Sequence, residues 1–414
     1  MSWNVAPAPP GSGSGLPRPR LDRGRGRTVL IVSLCVLALL GAVGLIFLTT
    51  RPDGASVGGV VVAVMLAAIP PPLLVAAFLW LDRDEPEPRR FVAAALLWGA
   101  VIATSFALLV QVLIDLWAGD VPRTVLLTVV APVSEEFAKG MLCVLVLVRR
   151  RRVAGLLDGL IYAGLAGIGF AFTENVLYYA NAYAGTLIPD YSGPVAATNV
   201  FAARGIMSPF AHPFFTAATG VGVAVAVLTH RRWLRVVAPL LGYACAVGLH
   251  AAWNGSTLLW AGFGFFAVFA GLMVPLFALA GYLALRVQRK QADLVRGALT
   301  DAARRGWLHP AEIHWLVRFG DRAAARRFAT RVAGKQAGKS LHAYQRAATE
   351  MALMHDRVLR GTAPPDGVAR VTAHLVRMHS WRPYVIMPPL ATVPRAALPR
   401  TAPGAPQPLT ASGG

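Results

Sequence analysis

Glu135, Glu136 and Lys139 sit in the middle of an otherwise apolar stretch, "TVVAPVSEEFAKG", from Thr128 to Gly140. Each ionisable group at the centre of a membrane-spanning helix costs about 2.5–3.5 kcal/mol on insertion scales, so such residues mark function by default. Three further apolar stretches carry comparable groups: Glu174 and Asn175 in "GFAFTENVLYY", His212 in "MSPFAHPFFTAATG", and His250 with Asn254 in "GLHAAWNGS". Carboxylates can accept a proton from water, and histidines can bind a metal, relay protons or steady an oxyanion. Asparagines are neutral donors suited to a developing negative charge. Together these groups are the parts for water-driven hydrolysis of an amide.

Helical spacing qualifies how the two adjacent glutamates share the work. Neighbouring residues on a helix point about 100° apart, and Lys139 lies four residues after Glu135, on its face. The spacing therefore predicts a Glu135–Lys139 pair, with Glu136 directed to a neighbouring sector and free to meet a water or a metal. Paired carboxylates and histidines at mid-depth also suit a proton-coupled transporter, and a packing network would suit a catalytically inactive scaffold. Other hydrolase signatures are missing: the sequence holds no H-E-x-x-H and no G-x-S-x-G. Ser208 with His212 is a weak substitute for a serine dyad.

The elements that must position these groups are membrane spans. Of the 414 residues, 56% are apolar and 14% charged, against about 25% charged in an ordinary soluble domain. Apolar runs long enough to cross a bilayer lie near 28–50, 57–81, 91–117, 122–148, 155–183, 205–228, 233–258 and 261–287. One alternating set of flanks carries eighteen Lys and Arg, from Arg18–Arg27 through Arg83–Arg90, Arg149–Arg152 and Arg231–Arg235 to Arg286–Lys290. The other set holds only Arg51, Arg123 and Arg204. Basic residues collect on cytoplasmic flanks, so the alternation predicts eight spans with both termini cytoplasmic. The expected fold is an all-α polytopic membrane protein, eight transmembrane helices followed by a small C-terminal cytoplasmic helical domain. Counted from their cytoplasmic arginines, Glu136, Glu174, His212 and His250 fall about 20 to 33 Å deep, one layer in the outer half of the membrane.

Four segments follow: a Pro/Gly/Ser-rich tail at 1–27, the membrane domain at 28–287, a basic helical bundle at 288–386 and a Pro/Ala-rich tail at 387–414. Both tails have little to bury and are expected to be disordered. The net charge of +20 follows the flanks and the bundle, which fits the anionic cytoplasmic leaflet and not nucleic acid. Cys35, Cys143 and Cys245 all lie in apolar runs, which disfavours a disulfide framework. His309, Glu312 and His314 have a faint metal-ligand look, but Pro310 beside them reads more simply as a helix start.

The motifs "EEFAK", "DGLIYAGLAGIGFAFTEN", "ARGIMSPFAHPFFTAATG" and "HAAWN", with the loop "LDRDEPEPRR", resemble those of the PrsW family of intramembrane proteases, over about residues 57–287. That family is distantly similar to the CAAX prenyl endopeptidase and bacteriocin-immunity group. The resemblance implies peptide-bond hydrolysis within a bacterial cytoplasmic membrane, on a single-span membrane protein such as an anti-sigma factor. It implies Glu135, Glu136, Glu174, His212 and His250 as catalytic residues, supported by Lys139, Asn175, Arg204 and Asn254. A divalent metal, zinc by type, would be held by Glu174, His212 and His250. The CAAX group suggests instead a metal-free, glutamate-activated water, and the residues leave both open. An Asp often stands in the family where this chain has Asn254, which suits an oxyanion role there better than a metal ligand.

Overall fold

A computed structural model describes residues 55–82, 87–145, 155–187, 190–259, 262–361, 363 and 365–389. The expected first span near 28–50, the N-terminal tail, most of the C-terminal tail and the cluster Arg149–Arg152 lie outside the described residues. Among the described residues every regular element is helical. Six helices among these residues are long and apolar enough to cross a membrane: Val57–Leu81, Arg89–Trp117, Leu156–Ala184, Gly193–Leu228, Leu234–Ser256 and Phe263–Arg304.

The first and fourth of these are broken. Val57–Ala67 (α1) and Pro70–Leu81 (α2) meet at Ala68–Ile69, because Pro70 has no N–H for the helix ladder and its ring crowds the preceding turn. Arg89–Trp117 is α3. The helix at 123–143 (α4) spans about 32 Å at 1.5 Å per residue, yet carries Glu135, Glu136 and Lys139 in its apolar body. Leu156–Ala184 (α5) is the central helix, its middle enclosed on all sides, so that 19 of its 29 residues are buried. A helix at 193–207 (α6) stops at Ser208–Phe210, and Ala211–Leu228 (α7) resumes beyond. Leu234–Ser256 is α8. Phe263–Arg304 (α9) runs unbroken out of its apolar part into the C-terminal bundle, so the last span and the first bundle helix are one element rather than two.

Close approach around α5 depends on residues without side chains. A Cβ on Gly159 would lie 2.2 Å from the Gly220 carbonyl oxygen, and one on Gly220 would lie 2.1 Å from that of Gly159. The two glycines let α5 and α7 touch backbone to backbone, as small residues do at membrane helix interfaces. Gly167 does the same about two turns of α5 further along, where a Cβ would sit 2.7 Å from the Pro213 Cα, next to His212.

Among the described residues, short π-helical segments interrupt the helices at Trp98–Ala103, Leu126–Val130, Ala202–Met207 and Phe269–Met273. A widened turn frees carbonyls that lipid cannot solvate, and side chains take up several of them. Thr173 Oγ1 donates to Ala100 O at 2.7 Å, Ser208 Oγ to Ala203 O at 2.8 Å and Asn254 Nδ2 to Leu127 O at 3.0 Å.

Beyond the membrane helices, Phe319–Leu359 (α10, kinked at Ala333 and Gly334) and Gly367–Trp381 (α11) fold back on the end of α9. Leu299, Leu316, Leu341, Tyr344, Met351 and Met378 form a separate buried core there. Of His309, Glu312 and His314, Glu312 alone is buried beside this core, while His309 is exposed. Glu312 is buried, accepts a bond from the Tyr344 hydroxyl and pairs with Arg382 at 2.7 Å, while His309 Nδ1 accepts from Ala311 N.

Candidate active site

The costly side chains of α4, α5, α7 and α8 meet at one place. Lys139, fully buried, is its hub. Its Nζ lies 2.7 Å from Glu136 Oε1, 3.4 Å from Glu135 Oε2 and 3.2 Å from His212 Nδ1, and it stands 4.1 Å above the Phe170 ring. One lysine at i+3 and i+4 from the two glutamates reaches both, because these offsets share a helix face. The adjacent carboxylates therefore converge, although their Cβ atoms diverge.

The expected division of labour is reversed. Glu136 is the anchored partner: beyond Lys139, its Oε1 lies 2.9 Å from His250 Nδ1, and its Oε2 accepts from Thr216 Oγ1 at 2.9 Å. No part of Glu136 reaches solvent. Glu135 has only longer contacts, to Lys139 and to His250 Nε2 at 3.8 Å, and its side chain keeps 10% of its surface exposed. The freer carboxylate is Glu135.

A second cluster continues from the first. His212 Nε2 lies 2.8 Å from Glu174 Oε2, and Glu174 is ion-paired with Arg204. Arg204 Nε donates to Asn175 Oδ1 at 2.8 Å, and its guanidinium covers the Tyr178 ring at 3.9 Å. The two histidine rings stand edge to face at 5.2 Å, and Phe215 stacks on His250 at 5.3 Å. The helix break before α7 aims His212: Pro209 and Pro213 flank it, and Ser208 spends its hydroxyl on Ala203 O, so it is not presented to His212 as a nucleophile. A cavity of about 20 Å³, room for a water, lies against His212, Asn175, Arg204 and Trp253. Both helix breaks border it, through Ala67, Pro70 and Pro71 on one side and Ser208 and Pro209 on the other.

Glu135, Glu136, Lys139, Glu174, Asn175, Arg204, His212 and His250 therefore all lie in this neighbourhood, while Asn254 is turned to the α4 backbone. Thr216 escaped the sequence reading, since a hydroxyl within an apolar helix is ordinarily satisfied by its own backbone. Its position four residues after His212, on the same face, was the available signal. Phe170 and Phe215, which wall the histidines, read as ordinary core.

Glu135, His212 and His250 each offer a ligand atom within 4.8 Å of the others, and all three are buried. Two imidazoles and a carboxylate are a donor set that hydrolytic zinc sites use, with the fourth position open to water. His250 also holds its Nδ1 against Glu136, the carboxylate partner that orients a ligating imidazole through its other nitrogen. The donors thus fit a divalent metal. The set differs from the expected one in taking Glu135, while Glu174 is occupied by Arg204 and His212.

Fold and cluster define a polytopic membrane protein with a buried carboxylate–imidazole centre suited to hydrolysis. Residues 87–280 match the family model described as PrsW family intramembrane metalloprotease, and this segment runs from the start of α3 into α9 and holds the whole cluster. That match assigns the segment to the PrsW family, and on that membership the protein is an intramembrane protease. Comparisons with curated proteins and with solved structures return no match.

Proposed function

We propose that the protein is an endopeptidase that cleaves a single-span membrane protein, an anti-sigma factor being one such substrate, at a bond in the outer half of a bacterial cytoplasmic membrane. The helix at 123–143 and the run near 28–50 complete eight spans, with both termini and the 288–386 bundle on the cytoplasmic side. The alternating arginines support this orientation. The observation that carries the reading is the convergence of Glu135, Glu136, Lys139, His212 and His250 from three helices within hydrogen-bonding and metal-ligating range. A transporter reading gains nothing from the family match.

Glu135, the less engaged carboxylate, takes the proton of the attacking water, and His250 Nε2, 3.8 Å away, passes it to the leaving amine. Glu136 orients His250 through Nδ1 and is itself held by Lys139 and Thr216. That is the metal-free route; a divalent metal such as zinc, held by Glu135, His212 and His250, would instead supply the activated water and polarise the scissile carbonyl, with Glu135 and His250 serving as its ligands rather than as proton carriers. The lysine charge offsets the two carboxylates, which makes their burial together tolerable. On the other flank, Arg204 and Glu174 fix His212, and Asn175 and Arg204 place N–H groups at the cavity where a carbonyl oxygen can settle.

Co-expression with epitope-tagged single-span proteins tests this. Native protein is expected to yield a fragment cut near the extracytoplasmic juxtamembrane segment, absent with Glu135→Gln or His250→Ala. A cut mapped to the cytoplasmic side contradicts the proposed depth, and undiminished cleavage by both variants contradicts the chemistry.

A further inference from the structure

Independently of the peptidase chemistry, we propose that a basic cleft where α9 leaves the membrane binds the phosphate headgroup of an anionic phospholipid and so holds the C-terminal bundle against the bilayer. The cleft lies between α9 and the start of α10, lined by Gln288, Arg289, Ala292, Asp293, Arg318 and Phe319, with a volume of about 560 Å³.

Its level relative to the bilayer follows from three observations. Arg286 is the first charge after the apolar part of α9, and its Nε bonds the Tyr282 hydroxyl at 2.7 Å. Trp80, 53% exposed, stands at the end of α2. Tyrosine and tryptophan favour the membrane–water boundary. The two helix ends are level with each other, because Gln288 Nε2 donates to Leu81 O at 2.8 Å. From Arg286 to Arg289 the helix advances about 4.5 Å, which falls within the headgroup layer of about 5–7 Å on each side of the hydrocarbon.

The lining matches a phospholipid at that level. Arg289 and Arg318 are exposed and supply two cationic donors, and arginine pairs with phosphate through parallel N–H groups. Phe319, 39% exposed, offers an apolar wall to the glycerol and upper acyl region. Arg326 stands 6.0 Å from the Phe319 ring and adds positive potential behind it. Asp293 is the opposing charge in the cleft. It lies a further turn along α9, about 6 Å deeper into the bundle, so the phosphate belongs at the Arg289–Arg318 end. A lipid held there ties α10 to the membrane through charge complementarity.

Full-length protein in nanodiscs of phosphatidylcholine, or of phosphatidylcholine with one-quarter phosphatidylglycerol, tests the site. Lipid retained after detergent exchange is measured by native mass spectrometry. The native protein is expected to keep at least one phosphatidylglycerol with about a tenfold preference over phosphatidylcholine, a preference worth about 1.4 kcal/mol. Arg289→Ala with Arg318→Ala is expected to lower that retention at least fivefold. The charge-matched control Arg360→Ala with Arg370→Ala is expected to leave it unchanged, with thermal unfolding showing that both variants fold. Equal retention by the two double variants overturns the proposal. So does displacement of the lipid by millimolar inorganic phosphate alone, which would mark a site for soluble phosphate.

Discussion

The Nδ1 atom of His250 lies 2.9 Å from Glu136 Oε1, across the contact between α8 and α4. That bond fixes the ring and leaves Nε2 on the side of Glu135. Thr216 on α7 holds the other oxygen of Glu136, so three helices set the orientation of one imidazole. Glu136→Gln keeps the shape but loses an ionic acceptor, and is expected to lower the cleavage rate by about 10²–10⁴, the range ascribed to a positioned acid or base. Thr216→Val removes one hydrogen bond to that carboxylate, worth about 1.5–3 kcal/mol, and is expected to cost roughly tenfold in kcat with little change in KM. Rates of substrate cleavage in proteoliposomes check both, and a Thr216→Val loss as large as that of Glu136→Gln contradicts the orienting role.

Metal content tests the ligand set without reference to turnover. Protein purified without chelator and titrated with zinc is expected to bind one equivalent. His250→Ala, His212→Ala and Glu135→Gln are each expected to lower the affinity at least tenfold. Glu174→Gln is expected to change it less, since Glu174 acts through His212. Elemental analysis with isothermal titration reads this directly, and an equal effect of Glu174→Gln would restore that residue to the ligand set.

Arg204 and Glu174 are paired between α6 and α5. Arg204→Met strands a carboxylate at 13% side-chain exposure and removes the bond to Asn175, so the midpoint of thermal unfolding in detergent should fall. A charged hydrogen bond lost at such a site is worth about 1.5–3 kcal/mol. Arg204→Lys, which keeps the charge but not the fork, should recover part of that loss. An unchanged midpoint in Arg204→Met contradicts the structural part of this pair's role.

Gly159→Ala and Gly220→Ala each drive a methyl group into the opposite carbonyl, with about 1–3 kcal/mol expected from overpacking. Gly281→Ala, where an added Cβ meets open space, is expected to be neutral. Because α5 and α7 carry Glu174 and His212, the first two variants should also depress cleavage. Thermal unfolding and cleavage measured on the same preparations check the coupling.

The bundle carries its own pH response. Burial pushes the Glu350 carboxyl up, but bonds from His374 and Arg346 outweigh it and hold the group at about 2. A depressed carboxyl stabilises the fold above its unfolded value of about 4.3, and that contribution is lost as pH falls towards the folded value. Hydrogen exchange in α11, corrected for the intrinsic rate, should show protection falling between about pH 4.5 and 2, with a flatter profile in Glu350→Gln.

Much of the site was legible because ionisable groups are expensive in lipid: Glu135, Lys139, Glu174, His212 and His250 stood out against apolar neighbours. What stayed hidden depended on tertiary placement. That Glu136 rather than Glu135 would be the anchored carboxylate is set by Thr216 and His250 on other helices, which helical spacing within α4 does not reveal. The break at Ser208–Phe210 was concealed inside a hydropathy run, and the continuity of α9 past residue 287 lay behind a change from apolar to charged composition. The run near 28–50 falls outside the described residues, and the helix at 123–143 owes its polar interruption to the chemistry it carries.

Cleavage of a purified single-span substrate in liposomes, with both fragments weighed by mass spectrometry, tests the central claim most directly. Native protein is expected to produce two complementary fragments whose summed mass exceeds the substrate by one water, while Glu135→Gln and His250→Ala bind the substrate and leave it intact. Fragments formed at the native rate by either variant would contradict the placement of catalysis in this cluster.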